Sequence, residues 1–326
     1  MKSRKSKSRA DFSKSPEQGR ATGLFFMPDT STYRGRFAPS PTGPLHFGSI
    51  ITAVASYADA RSHNGEWLLR IEDVDEPRTA AGSADNILRT LEALGFEWTG
   101  DVLYQTQRKE AYTAAQQQLE QNNLTYRCTC TRSALHAIHE TSVYPGLCAN
   151  KNYPASIEHA VRVRTQNKRI EFNDAVMSLY GQNLQTDVGD FIIRRRDGLF
   201  AYQLAVVVDD AFQGITHIVR GADLLDSTPR QIYLQQCLHY PATEYMHLPL
   251  AVNAAGEKLS KQTYAPHIKT DSAVLFDALN FLGQQIPVEL EHETCDAIWK
   301  WAIANWHREK IPKTNQLAPA DYIILM

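Results

Sequence analysis

The sequence is poor in cysteine and lacks a long apolar run. Five cysteines among 326 residues are an odd number and too few for a disulfide framework. They indicate a reducing, cytoplasmic setting, with a metal as the user of any cysteine cluster. No run approaches the ~20 apolar residues that cross a bilayer, and no signal-peptide pattern is visible, so no membrane partner is expected. The 34 basic and 36 acidic residues nearly cancel, so contacts with nucleic acid must come from local patches.

Composition and patterning divide the chain into five segments. Residues 1–32 are rich in Lys, Arg and Ser without apolar periodicity, which predicts a disordered basic tail; weak binding to RNA is the functional alternative. From residue 33 onward strands alternate with helices, which predicts an α/β fold with a parallel sheet. We predict two halves of the sheet domain over 33–125 and 191–265, an inserted subdomain over 126–190 and a C-terminal helical region over 266–326.

Apolar periodicity and capping residues predict the individual elements. Helices are expected over about Ile50–Ala60, Ser83–Leu94, Thr106–Asn122, Ser227–Leu238, Ser272–Leu282 and Glu291–Trp306. Strands are expected over Trp67–Asp73, Ala205–Asp210 and Ile215–Arg220, with a hairpin over Phe191–Phe200 that turns at an Asp-Gly pair.

The stretch from Arg36 to Ser49 predicts a phosphate site. It opens on a strand-like run, turns through three prolines and a glycine, and reaches His46-Phe47-Gly48-Ser49 before an Ala-rich helix. A helix N-terminus carries unpaired N–H groups and the positive end of the helix dipole. Gly48 allows a ligand to approach the backbone closely, and His46 can donate to a phosphate oxygen. Taken alone, the stretch could also be a turn that only joins a strand to a helix.

A second stretch, Lys258-Leu259-Ser260-Lys261, strengthens this interpretation. Two lysines three residues apart could be a solvated pair, or could both contact one polyanion. Together with the turn at His46 they predict a nucleoside triphosphate held from both ends, with attack on its α-phosphate and loss of pyrophosphate. Lys and His would stabilise the charge that grows on the phosphoryl oxygens.

These motifs resemble those of the class I glutamyl-tRNA synthetases. Arg36–Ser49 is similar to the region of the "HIGH" motif, with Phe47 for Ile and Ser49 for the final His, and Lys258–Gln262 is similar to "KMSKS". Arg70–Asp75 is a third matching motif. The resemblance covers about residues 34–265 and implies a Rossmann-like catalytic domain that uses ATP with Mg²⁺. It implies that His46 and Lys261 are catalytic and that His46, Gly48, Ser49, Lys258 and Lys261 bind ATP.

The resemblance also implies a glutamate site. Arg36 has a guanidinium suited to bidentate carboxylate binding, and Glu72 could hold the ammonium group or form a salt bridge with Arg70 or Arg78. Asp209 and Asp210 could shape the site or cap a turn. The expected glutamate-binding residues are Arg36, Phe37, Ala38, Pro39, Ser40, Glu72, Tyr202 and Arg220.

Cys128, Cys130 and Cys148 lie close together in the sequence and suggest a structural zinc site, which needs four tetrahedral ligands. Three unrelated free thiols are the alternative. Tyr144 matches the position of the fourth ligand in the resembling family. His136 and His139, between the cysteines, are chemically better ligands.

Only 64 residues follow Gln262, fewer than an anticodon-reading domain needs. With the Cys-x-Cys segment, this resembles the glutamyl-queuosine tRNA(Asp) synthetase family. The resemblance implies that glutamate is activated with ATP without tRNA and passed to the queuosine base at the wobble position of tRNA(Asp). The expected partners are L-glutamate and queuosine-bearing tRNA(Asp), with the protein as a monomer. The alternatives are a short synthetase for tRNA(Glu) or tRNA(Gln), and a non-catalytic regulator that binds glutamate or an adenylate.

Overall fold

A computed structural model describes residues 32–131, 133–135, 143–253 and 271–318. The predicted basic tail therefore lies outside the described residues, apart from its last position. Within the described ranges, no helix is both long and apolar enough to cross a membrane.

Strands and helices alternate along the chain, as the sequence predicts. The helices are α1 (Phe47–Ser62), α2 (Ser83–Ala93), α3 (Lys109–Gln121), α4 (Leu184–Asp187), α5 (Tyr202–Phe212), α6 (Thr228–Leu238), α7 (Ala273–Phe281) and α8 (Cys295–Ala304). The strands are β1 (Arg34–Phe37), β2 (Glu66–Ile71), β3 (Leu103–Tyr104), β4 (Thr125–Cys128), β5 (Ala160–Val163), β6 (Arg169–Asp174), β7 (Ser178–Asn183), β8 (Ile192–Arg194), β9 (His217–Gly221), β10 (Glu244–Leu248), β11 (Leu250–Ala251) and β12 (Gln316–Leu317). Short 3₁₀ helices cover Glu76–Arg78, Gln105–Arg108, Ala222–Ser227, Val288–Leu290 and Arg308–Lys310.

Two sets of strands meet at β1 and β9. Their orders are β1-β2-β3, all parallel, and β7-β6-β10-β9, in which β6, β10 and β9 are parallel and β7 is antiparallel. Thr216, just before β9, donates its backbone N–H to the Arg34 carbonyl at 2.9 Å, and Arg36 contacts the Val219 carbonyl at 3.4 Å. Because Arg34 contacts Thr216 and Arg36 contacts Val219, further along the chain, β1 and β9 run in the same direction. The carboxyl ends of β1, β2, β9 and β10 therefore lie at one edge, where open α/β sheets bind ligands.

The segment between residues 126 and 190 contributes to two sheets. β4, β5 and β8 form an antiparallel sheet. The hairpin of β6 and β7 instead extends the parallel strands, because Asp174 at the end of β6 pairs with Tyr245 of β10. The boundaries of a subdomain over 126–190 stay a prediction. Strand β6 places the acidic side chain of Asp174, from this segment, next to β10.

Helix α1 is buried on nearly all sides. Its Ala-rich sequence favours a helix, and ten of its residues, from Ile50 to Ala60, are buried between the strands and helices α7 and α8. Asp59 of α1 accepts hydrogen bonds from the Trp306 indole at 2.9 Å and from Arg308 Nε at 2.6 Å. The C-terminal helices are thereby joined to the helix that begins at His46.

One predicted strand is wrong. Ala205–Asp210 is part of helix α5. Its run of β-branched valines favours a strand locally, and because the whole run is buried, a helical period does not show in the sequence. The other predicted helices and strands occur with small changes at their ends, including the hairpin, in which Arg194 bridges to Phe200.

Candidate active site

The Pro-rich loop between β1 and α1 is held by bonds from the segment that follows β2. The backbone N–H groups of Glu72 and Ala80 donate to the carbonyls of Pro39 and Pro41 at 3.0 and 2.9 Å. Ser83, at the start of α2, accepts from the Gly43 N–H at 2.9 Å and donates to its carbonyl at 2.7 Å. Gly43 has a φ of 139°, a conformation that strains other residues. The loop is therefore placed before any ligand binds.

His46 is the N-cap of α1. Its carbonyl accepts from the N–H groups of Ser49 and Ile50 at 2.8 and 3.1 Å, and its Nδ1 accepts from the Ser49 N–H at 3.3 Å. An Nδ1 that accepts leaves the ring proton of a neutral imidazole on Nε2. His46 thus offers an N–H donor at the positive end of a sixteen-residue helix, as a phosphate site requires.

A cleft of about 730 Å³ opens at the carboxyl ends of β1, β2 and β9. It contains every described residue that the sequence predicts for glutamate and ATP. These are Arg36, Phe37, Ala38, Pro39, Ser40, His46, Gly48, Ser49, Glu72, Tyr202 and Arg220. Residues separated by more than 180 positions are thus brought into one site by the strand order.

A buried charge cluster forms the floor beside the cleft. Asp210, on α5, accepts from Arg36 Nε at 3.1 Å and from Arg70 Nη2 at 2.8 Å. Burial opposes ionisation of Asp210, but the two guanidinium charges outweigh it and lower the pKa of this carboxyl. Asp210 therefore shapes the site by anchoring Arg36. Its neighbour Asp209 accepts from Tyr112, Gln105 and Arg108, and so joins α5 to the segment around α3.

The carboxylate of Glu72, directly after β2, is only weakly neutralised by a neighbouring cation. Its side chain is 8% exposed, and its ion pair with Arg70 is 3.4 Å long, whereas Arg70 is 2.8 Å from Asp210. Burial raises the pKa of Glu72 above its usual range, although Arg70 and Arg36 act in the opposite direction. Arg78 instead pairs with Asp75. A buried carboxylate whose charge is only partly compensated favours a further cation, such as the ammonium group of an amino acid.

Arg220, on β9, is buried among neutral partners. Its Nε lies 3.0 Å from His247 Nε2, its Nη2 lies 2.8 Å from Thr228 Oγ1, and its Nη1 lies 3.5 Å from the Tyr202 hydroxyl. Among the described residues, no Asp or Glu forms an ion pair with it. Burying a guanidinium costs free energy unless an anion neutralises it. Binding of a carboxylate or phosphate to Arg220 at the cleft would therefore be favourable.

The three cysteines of the predicted metal site lie together near β4. Their sulfur atoms are within 4.8 Å of one another, and the Tyr144 hydroxyl lies 3.3 Å from Cys128 Sγ and 3.6 Å from Cys130 Sγ. Zn–S bonds of about 2.3 Å and a Zn–O bond of about 2.0 Å give tetrahedral edges of roughly 3.5 to 3.8 Å. The contacts of the Tyr144 oxygen and the 3.5 Å distance from Cys130 Sγ to Cys148 Sγ are close to these edges, so the cysteine cluster is compatible with a metal ion. Burial raises the pKa of Cys148, but hydrogen bonds with Thr129, Tyr144 and the other cysteines lower it to about 6.

Some predicted residues lie outside the described ranges. They are Lys258 and Lys261 of the predicted ATP site, and His136 and His139, the alternative fourth ligands of the metal site. Their roles remain predictions from the sequence.

Sequence reasoning missed Asp174 and His247, which lie behind Arg220. His247 is fully buried and Asp174 is 5% exposed. A histidine within the apolar run from Tyr245 to Leu250 is the signal that could have drawn attention to it, since a buried polar group needs a partner. No feature of the local sequence indicates that the partner is Asp174.

Comparison with known proteins identifies the family. The family described as tRNA synthetases class I (E and Q), catalytic domain, matches residues 32–274. The "Glutamyl-Q tRNA(Asp) synthetase" of Dechloromonas aromatica (strain RCB) is 54% identical over 87% of this chain and 97% of its own length. The protein of the same name from Ectopseudomonas mendocina (strain ymp) is 49% identical over 89% of this chain and 99% of its own length.

A solved structure shows the shared fold. The glutamate-tRNA synthetase from Elizabethkingia anophelis superimposes with a TM-score of 0.74 at 23% identity, covering 88% of this chain and 68% of that chain. The chain therefore belongs to the glutamyl-Q tRNA(Asp) synthetase family of class I tRNA synthetases, and it is a ligase with glutamate–tRNA ligase-like activity.

Proposed function

We propose that the protein activates L-glutamate with ATP in the absence of tRNA and then transfers the glutamyl group to queuosine at the wobble position of tRNA(Asp). The observation that carries this proposal is Arg220, a buried guanidinium in the cleft without an acidic partner among the described residues. Because the ion pair of Glu72 with Arg70 is long, at 3.4 Å, the Glu72 carboxylate in the same cleft can also receive a cation, and the site complements a molecule with both an ammonium group and carboxylates.

Glutamate has one group for each of these charges. Arg220 would bind one carboxylate, Glu72 the ammonium group, and Arg36, held by Asp210, would stabilise the other end of the molecule. Tyr202 and the backbone from Phe37 to Ser40 line the space between them. In this binding mode the α-carboxylate of glutamate would face the N-terminus of α1, where ATP is expected as its magnesium complex.

Activation joins glutamate to AMP. A carboxylate oxygen attacks the α-phosphorus, the bond to the β-phosphate breaks, and pyrophosphate leaves. His46 Nε2–H and Lys261 would stabilise the charge on the phosphoryl oxygens by position rather than by proton transfer. A hydroxyl of the queuosine base then attacks the adenylate carbonyl, which forms an ester and releases AMP.

Two assays test this function. The pure protein is expected to catalyse glutamate-dependent ATP–pyrophosphate exchange without tRNA, and to transfer labelled glutamate to queuosine-bearing tRNA(Asp) but not to queuosine-lacking tRNA(Asp) or to tRNA(Glu). No exchange would support a binding protein without catalysis. Charging of tRNA(Glu) as efficient as that of tRNA(Asp) would instead identify a short glutamyl-tRNA synthetase.

Lys261→Ala is expected to slow the exchange reaction by roughly 10-fold or more, since loss of one charge-assisted contact costs ~1.5–3 kcal/mol. The measurement is the exchange rate at saturating glutamate and ATP. Lys168→Ala, at an exposed position, is the matched control and should leave the rate unchanged. An unchanged rate in the Lys261 variant would remove this residue from the mechanism.

We also propose a structural zinc ion held by Cys128, Cys130, Cys148 and Tyr144. Thiolates are strong zinc ligands, and the ion would close the segment between β4 and β5. Elemental analysis of protein purified without chelator should give about one zinc per chain, and Cys148→Ser should lose it. Protein that lacks zinc from the start would count against the site.

The fourth ligand is tested separately. Tyr144→Phe is expected to release zinc to a chelator faster than the wild type, whereas His136→Ala and His139→Ala should retain it. The opposite pattern would assign the fourth position to one of the histidines.

A further inference from the structure

Arg220 is the end of a buried chain of polar contacts that crosses three strands. Asp174 ends β6, His247 lies in β10 and Arg220 in β9, and all three are at most 5% exposed. Asp174 Oδ2 is 2.6 Å from His247 Nδ1, and His247 Nε2 is 3.0 Å from Arg220 Nε. Asp174 and His247 are absent from the wall of the cleft, so they reach it only through Arg220.

Asp174 determines which nitrogen of His247 carries the proton. Its two oxygens also face the backbone N–H groups of Val176, Met177 and His247 at 2.8 to 3.2 Å, so it is surrounded by donors. Burial opposes its ionisation, but these bonds and His247 outweigh burial and lower the pKa of Asp174. An ionised carboxylate only accepts, so His247 Nδ1 must donate to it.

A neutral His247 then has its lone pair on Nε2, facing Arg220. Burial lowers the pKa of His247 below its ordinary value of 6.5; Asp174 opposes this shift and Arg220 adds to it. The ring is therefore neutral near pH 7, and Nε2 accepts from Arg220 Nε–H. If the proton moved to Nε2, two N–H groups would face each other and the guanidinium would have to turn.

We propose that Asp174 and His247 are positioning residues for the amino-acid substrate: they hold Arg220 by its Nε so that its terminal nitrogens face the cleft. A guanidinium has five N–H donors. One goes to His247, one to Thr228 and one towards Tyr202, which leaves two, the number that a bidentate carboxylate accepts. The inference rests on the proposed function, because it assumes that Arg220 binds a carboxylate of glutamate.

Kinetics of glutamate-dependent pyrophosphate exchange test this role. His247→Leu removes the nitrogen that accepts from Arg220 Nε–H. Asp174→Asn replaces the carboxylate by an amide, which also donates, and so favours the His247 tautomer with its proton on Nε2. Both variants are expected to raise KM for glutamate by ~10-fold or more, with kcat and KM for ATP changed less than about 2-fold. His247→Gln keeps an acceptor oxygen and should recover much of the affinity. His217→Gln, a histidine at the other end of β9, is the matched control.

A pH profile separates positioning from general support of the fold. His247 faces Asp174 from β6, Arg220 from β9, Thr228 from α6 and the Phe172 and Tyr245 rings, with Arg36 adding to the positive field. In the wild type, KM for glutamate should be flat above about pH 6.5 and rise as falling pH protonates His247. In His247→Gln this part of the rise should be missing, which leaves only the rise in acid that comes from protonation of Glu72, whose pKa burial raises.

The outcomes distinguish the inference from the function on which it rests. Absence of glutamate-dependent exchange in the wild type would overturn the proposed function. Normal exchange that is lost in Arg220→Ala, with an unchanged KM in both Asp174→Asn and His247→Leu, would overturn the positioning role alone. If His247→Leu does not fold, the KM and pH profile of His247→Gln decide. A KM equal to the wild type together with the wild-type pH dependence would then count against the inference.

Discussion

Arg220→Ala is expected to lower kcat/KM for glutamate by about 30-fold or more. Removing one partner of a buried, hydrogen-bonded charge pair costs about 2–5 kcal/mol, and each 1.4 kcal/mol is a factor of ten. In this protein the loss would fall on glutamate binding, because the other partners of Arg220 are the neutral groups of His247, Thr228 and Tyr202. The measurement is pyrophosphate exchange over a range of glutamate concentrations at saturating ATP.

Two further variants sharpen this experiment. Arg220→Lys keeps the positive charge but loses the planar guanidinium. If bidentate geometry matters, kcat/KM for glutamate in this variant should lie between the values of the wild type and of Arg220→Ala. Arg169→Ala removes an exposed arginine that pairs with Glu171 at the surface and should have no effect. An unchanged KM for glutamate in Arg220→Ala would exclude this residue from the glutamate site.

Asp210→Asn is expected to lower the free energy of unfolding by about 3 kcal/mol. Breaking a buried ion pair from one side leaves uncompensated charge, and here two buried guanidinium groups, those of Arg36 and Arg70, lose the same carboxylate. Denaturant unfolding at pH 7 measures the effect. Asp197→Asn breaks an exposed pair with Arg195 and should cost less than about 1 kcal/mol. Equal losses in the two variants would contradict the role of Asp210 as an anchor.

The pH dependence of this difference has a definite sign. The pKa of Asp210 is lowered in the folded protein, so its ionised form contributes stability above its ordinary value of 3.8. That contribution is lost as the pH falls through the lowered pKa. The stability difference between the wild type and Asp210→Asn should therefore be constant near neutral pH and shrink in acid.

The sequence predicted most reliably those helices and strands whose ends carry clear capping or turn residues. The N-terminus of α1 is an example, because His46 and Gly48 stand directly before an Ala-rich run. Helix α5 is the counter-example: its valines favour a strand, and only packing between α3 and α6 makes the helix the better solution. Local propensity is a weak guide where a segment is buried on all sides.

The residue types and motifs alone were enough to predict a site for an amino acid and a nucleotide, formed by the loop with His46 and by arginine, glutamate and tyrosine side chains. How those side chains are held became visible in the folded chain. Asp210 joins Arg36 to Arg70 across 174 and 140 positions, and Asp174 reaches His247 across 73. Such partners depend on the order in which β6, β10, β9, β1 and β2 lie side by side. That order follows from burying many apolar side chains at once, and no local stretch of sequence contains it.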